Sequence, residues 1–218
     1  MTRAVVIADG EPVAADRLHL TDADWLVAAD GGARWLDRWG AAPHLLVGDL
    51  DSVAPELIER LAGAGVEIER HPAEKHESDT ELALRRAVDR GAQRIIILGA
   101  LAGNRLDHEV ANLLLLVAPQ LRGRDVRIVR GGTTVRALHA GENLELDGEA
   151  GDVVSLLPLG GDATGVTTGG LRYALSDEPL RLGASRGLSN VVKRAPAWVE
   201  IRAGTLLVIE TRKGELQP

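Results

Sequence analysis

The chain has no cysteine in 218 residues, which removes disulfides, thiolate nucleophiles and cysteine metal sites together. It has no run of basic residues, and a net charge of −7 argues against a broad nucleic-acid surface, because phosphate contacts require clustered Lys and Arg. Long apolar runs are also missing. The stretch around Leu113 to Ala118 falls far short of the ~20 residues that cross a bilayer, and only a short apolar run precedes Asp9, too little for a signal segment. No membrane partner is therefore expected, and a cytoplasmic location is. The histidines at 19, 44, 71, 76, 108 and 139 lack zinc-ligand spacing. Lys75, Lys193 and Lys213 follow Glu, Val and Arg, so none sits in a Walker A loop, which needs Gly before its Lys. Gly183-Ala184-Ser185-Arg186-Gly187 matches a nucleophile-elbow string, but no helical pattern and no histidine follow it.

What is present is a βαβ rhythm. Apolar runs at 4–8, 25–29, 44–47, 66–69, 94–98 and 126–129 read as strands. Amphipathic stretches at 33–39, 54–62, 79–90 and 108–117 read as helices, closed by Gly40, Gly63, Gly91 and Pro119. Beyond residue 131 the texture changes: 14 of the 25 glycines fall in the last 88 residues, so turns become dense and the 3.6-residue period fades. Runs at 152–157, 197–202 and 206–211 read there as antiparallel strands. The expected architecture is α/β: a three-layer domain with a mainly parallel sheet over 1–131, then a smaller all-β sandwich or barrel over 132–218, divided near Gly131 and Gly132. Trp25, Trp35 and Trp39 lie on strand or helix patterns and are expected in the core.

In open α/β sheets the ligand crevice lies at the carboxyl ends of the strands, and acids collect there. Asp30, Asp49, Asp51, Asp79 and Asp107 all follow apolar runs or precede helices. Two carboxylates ~4 Å apart repel by roughly 4 kcal/mol at a surface-like dielectric, so such a group calls for a cation or a shared proton. Asp49 and Asp51, two apart in Gly48-Asp49-Leu50-Asp51-Ser52, would point the same way in extended chain and suit Mg²⁺ with a phosphate ligand; equally, with Ser52 they could form turns and cap the next helix. Ser78-Asp79-Thr80-Glu81 fits a capping box, with Asp79 in the first turn just after Lys75. In Gly99 through His108, Arg105 offers a fork for phosphate, while Asp107 either orients a hydroxyl or caps the following helix.

Taken in order, Asp30-Gly31-Gly32, Gly48 through Ser52, Lys75 through Glu81, Gly103 through His108 and Ser189-Asn190 make the chain resemble the thiamine pyrophosphokinase family over nearly its whole length. The resemblance implies transfer of a diphosphoryl group from ATP to the hydroxyethyl oxygen of thiamine, with Mg²⁺, in a homodimer whose clefts lie between subunits. By matching motif it implies Asp49, Asp51 and Asp79 as metal ligands; Lys75, Arg105 and Asp107 as catalytic groups; and Asp30, Gly31, Gly32, Ser52, Lys75 and Arg105 around ATP and its phosphates. Tyr173, Ser189 and Asn190 would bind thiamine, the ring of Tyr173 serving as an aromatic platform. The chain departs from the family pattern at His76, Asn104 and Val191. A hydroxymethyl-pterin acceptor and a nucleotide or thiamine sensor are the alternative readings.

Overall fold

The computed structural model describes residues 3–215, which form two compact units divided between Gly131 and Gly132. In the first unit the strands are β1 (Arg3–Ile7), β2 (Trp25–Ala29), β3 (Leu45–Gly48), β4 (Glu67–Arg70), β5 (Arg94–Leu98) and β6 (Asp125–Arg130). They lie side by side in the order β6-β5-β1-β2-β3-β4, and every pairing is parallel. The helices are α1 (Ala33–Arg38), α2 (Pro55–Gly63), α3 (Asp79–Asp89) and α4 (Leu106–Leu115).

Strands covered on both faces read as unbroken apolar runs, and alternation then decides which helix each residue meets. Val5, Ile7, Leu26, Ala28, Leu46, Ile96 and Leu98 form one core with Leu36 of α1 and with Leu57 and Leu61 of α2. Their neighbours Val6, Val27, Leu45, Val47, Ile95 and Ile97 are equally buried and point the other way. There α3, whose Leu82, Ala83, Leu84 and Ala87 are buried, packs across β1, β2 and β3. Three layers result. Trp25 is buried and Trp35 and Trp39 pack on the core, with the Arg38 guanidinium 4.7 Å from the Trp35 ring centre.

Two details correct the sequence reading. Gly63 lies inside α2, and Gly65 (φ +84°) takes the left-handed turn that ends it. α4 begins at Leu106 with Arg105 as its N-cap, so Asp107 sits in the first turn and does not cap the helix.

The second unit consists of β7 (Thr133–His139), β8 (Asn143–Glu145), β9 (Val153–Pro158), β10 (Ala163–Gly169), β11 (Glu178–Leu180), β12 (Asn190–Val191), β13 (Trp198–Glu200) and β14 (Thr205–Thr211). β12-β9-β14-β7 and β11-β10-β13-β8 are two antiparallel sheets. Alternate residues of both, including Leu138, Leu156, Val208, Val166 and Val199, share one core, which makes the unit a β-sandwich.

Candidate active site

The carboxyl edge of the parallel sheet is built by turns that the sequence makes tight. After β2 the chain bends at Asp30 (φ +45°) into a single 3₁₀ turn, Asp30–Gly32. Proximity requires the second glycine, since a Cβ on Gly32 would meet the Ile7 carbonyl at 2.0 Å, and packs the first against a side chain, a Cβ on Gly31 meeting the Asp9 carboxylate at 2.0 Å. Asp30 is thereby pressed against the sheet, 6% exposed. After β3 the chain turns at Gly48, where a Cβ would crowd Asp30 and Asp79, each at 3.0 Å. Asp79 arrives from the opposite direction, in the first turn of α3, whose N-cap Ser78 accepts a hydrogen bond from the Glu81 amide at 3.2 Å.

These three segments bring Asp30, Asp49 and Asp79 together, with one carboxylate oxygen from each lying within 4.8 Å of the others. At that separation each pair of charges repels by roughly 3 kcal/mol at a surface-like dielectric. One cation answers them: Lys75 Nζ is 3.0 Å from Asp79 Oδ1 and 3.8 Å from Asp49 Oδ2. Burial pulls the Lys75 ammonium down, but Asp79, Asp49 and Asp30 outweigh it and hold it above its ordinary value. Three carboxylates against one ammonium leave two negative charges. Asp30 Oδ1 is buried and accepts no hydrogen bond among the described groups, and the buried Asp79 Oδ1 meets only the Lys75 ammonium. Buried acceptors are rarely left so, and burial pushes the Asp30 carboxyl up despite the Ser52 hydroxyl and the Gly31 amide. Oxygen ligands only, an excess charge of two and unfilled lone pairs fit a hard divalent ion such as Mg²⁺.

Asp51 stands outside this group, and the reason is Leu50. Its backbone adopts φ +66° so that its side chain is buried, and the extended geometry in which residues two apart share a face is lost. Asp49 Oδ1 instead accepts the Asp51 amide at 3.3 Å, an Asx turn, and the exposed Asp51 accepts the Ser52 hydroxyl at 3.0 Å. Ser52 caps no helix, because α2 starts at Pro55 after Ala54. Asp9, at the end of the β1 run, also lies close to these acids, and its Asp-Gly repeats the pattern of Asp30-Gly31. Burial raises its carboxyl, Arg34 at 2.9 Å opposes that, and Asp30, Asp51 and Asp79 reinforce it.

Arg105 and Asp107 are paired with each other, Nε to Oδ1 at 2.9 Å and Nη2 to Oδ2 at 2.7 Å, on an exposed stretch. The guanidinium holds the Asp107 carboxyl down to about 2. His76 is exposed.

The remaining candidates lie in the second unit. Tyr173, 51% exposed, follows β10 on a loop held by buried Leu171 and Leu175. The Arg172 guanidinium is 5.5 Å from its ring centre. Ser189 adopts φ +54° and donates its amide to Ser155 Oγ at 3.1 Å. Asn190 is buried.

Comparison with known proteins gives consistent matches across both units. Residues 17–129 match the family described as "Thiamin pyrophosphokinase, catalytic domain", and residues 143–206 match "Thiamin pyrophosphokinase, vitamin B1 binding domain". Thiamine pyrophosphokinase 1 of Oryza sativa subsp. japonica is 30% identical, with 85% of this chain and 78% of that protein covered. Thiamine pyrophosphokinase of Bacillus subtilis is 27% identical over 86% of each chain. Among solved structures, thiamin pyrophosphokinase from Geobacillus thermodenitrificans superposes with a TM-score of 0.82 at 26% identity, covering 97% of each chain. The Bacillus subtilis structure reaches 0.86 over 99% of this chain and 100% of that one at 22% identity, a likeness of fold.

Proposed function

The chain belongs to the thiamine pyrophosphokinase family, and from that membership we propose that it is the enzyme moving the diphosphoryl group of ATP to the hydroxyethyl oxygen of thiamine, releasing AMP and thiamine diphosphate. We assign ATP to the first unit and thiamine to the second. The observation that carries the first assignment is the convergence of Asp30, Asp49 and Asp79 within 4.8 Å, with one buried Asp30 oxygen unpartnered and a single ammonium, Lys75, against three carboxylates.

Those three carboxylates would hold Mg²⁺, which when bound supplies charge neutralisation and orientation for the phosphates. The protein groups do the rest. Lys75 balances the acidic edge and offers its ammonium to a phosphate oxygen, while Ser52 and the tight turn of Gly31 and Gly32, which holds Asp30 in place, flank the phosphate chain. Arg105 serves as the phosphate fork. Asp107 orients the attacking hydroxyl and is not its base, since a carboxyl held at about 2 is a weak proton acceptor near neutrality. A loose transition state for phosphoryl transfer needs positioning more than base strength.

The test is a mass-resolved assay with ATP, Mg²⁺ and thiamine. Thiamine-dependent AMP and thiamine diphosphate are expected; ADP or free phosphate formed without acceptor, or AMP formed only with a hydroxymethyl pterin, would sink this reading. Asp49→Asn and Asp30→Asn should each lower kcat at least 10²-fold, the order of losing one preorganised electrostatic group, with unchanged circular dichroism.

A homodimer in the cytoplasm, where ATP and Mg²⁺ are supplied, completes the proposal. Leu106, Val110 and Leu114 of α4, spaced four apart, leave an apolar stripe exposed and support an assembly that covers it. Light scattering should give twice the 23.2 kDa chain mass; a monomer at micromolar concentration would refute the dimer.

A further inference from the structure

Of the neighbouring pair Ser189 and Asn190, only one has a side chain free to meet a ligand. Asn190 is 6% exposed and turned inward. Its Oδ1 accepts the Tyr173 amide at 3.0 Å and the Val191 amide at 2.9 Å, and its Nδ2 donates to the Tyr173 carbonyl at 2.7 Å. A carboxamide has two acceptor lone pairs and two donor hydrogens, so three of its four capacities are taken by main chain. Both polar groups of the Tyr173 backbone are thus held by one buried side chain. Leu171 and Leu175, two residues to either side, are buried, and the Leu175 amide donates to Thr168 Oγ1 at 2.9 Å. The loop therefore has three anchors, and the ring of Tyr173 projects from the middle of it. Ser189 differs: its amide is fixed on Ser155, its backbone takes the sparsely used left-handed conformation, and the residue stays exposed.

We infer that Asn190 is a positioning residue that fixes the main chain of Tyr173 and so aims the exposed ring, and that Ser189 alone of the pair offers a polar group to the acceptor substrate. This rests on the reading above that Tyr173 meets thiamine. Neighbouring groups that act through one another show non-additive effects, whereas groups that each touch a ligand approach additivity.

Two measurements decide it. Tyr173 is the sole tyrosine, so incorporation of 3-fluorotyrosine gives a single ¹⁹F resonance. In Asn190→Ala that resonance should shift or broaden, and it should respond less to thiamine. An unchanged resonance overturns the inference. In steady-state kinetics, Tyr173→Ala and Asn190→Ala should each raise KM for thiamine about tenfold, with KM for ATP unmoved, and the double variant should match Tyr173→Ala within twofold. Multiplying losses, near 100-fold in the double variant, would mean that Asn190 touches substrate itself and overturn the inference. Tyr173→Ala with wild-type KM removes the platform and the inference together, whereas absence of any thiamine-dependent AMP removes the proposed reaction. Should Asn190→Ala not fold, Asn190→Asp keeps the acceptor oxygen and loses the donor, and the same double-variant comparison applies.

Discussion

At Glu69 three groups meet one carboxylate. Arg86 donates from Nε at 2.6 Å and again from Nη2, and His71 Nε2 lies 2.6 Å away. The Arg86 hydrogen bond is the chief cause holding Glu69 at about 2 against an ordinary 4.5. A depressed carboxyl stabilises the fold above its unfolded value, and that stability drains away as pH falls toward the folded value, here between about 4.5 and about 2. The pair is partly exposed, so roughly 1 to 2 kcal/mol survives solvent screening. Urea midpoints measured down this window should fall less steeply for Glu69→Gln than for wild type; parallel curves would remove the effect. The acids differ in how far composition and spacing reveal them. Asp30, Asp49 and Asp79, which the fold brings together, each close an apolar run or open a helix, though the family motif implies Asp51 and not Asp30 beside Asp49 and Asp79. Asp51 lies apart from them because a buried Leu50 in a left-handed turn breaks the two-residue period, and local spacing carries no sign of that. Asp9 carries the same Asp-Gly signal as Asp30.

At the level of elements, the strands and helices of the first unit are readable to within two residues, because the inner parallel strands, covered on both faces, leave unbroken apolar runs, while the outer strands β4 and β6 alternate. The turns are less so. Gly32 owes its identity to a carbonyl 25 residues earlier in sequence, a contact that no local pattern encodes. Gly32→Ala should therefore separate β1 from the turn after β2 and cost several kcal/mol, as overpacking against fixed backbone does. Calorimetry should show a fall in Tm of ~5 °C or more, whereas Gly40→Ala, with nothing within 4 Å of its added methyl but a φ of +71°, should cost only about 1 kcal/mol. Asp107 was expected either to cap α4 or to orient a hydroxyl. Helix growth back to Leu106 moved it inside the first turn, where Arg105 claims it.

For the whole molecule, the change of texture after residue 131 reflects two ways of burying a core. Strands sandwiched by helices need few turns, and a β-sandwich of eight short strands needs many. Excess negative charge is distributed along the chain but concentrated where three loops of the first unit meet. A ligand that binds only the folded state stabilises it by about 2.7 kcal/mol at a hundred times its Kd. Saturating Mg²⁺ should accordingly raise Tm by roughly 5 to 10 °C in wild type and by almost nothing in Asp49→Asn. Equal shifts in both proteins would locate the ion elsewhere.

The pocket of Asp30, Asp49 and Asp79 contains neither sulfur nor imidazole among its donors. Its chemistry favours hardness over affinity for soft ions, so cadmium or mercury at trace levels should leave the enzyme untouched where a thiolate site would be poisoned. Trivalent lanthanides, hard and more highly charged, become the natural competitors, and terbium emission offers an optical reporter of the same three oxygens.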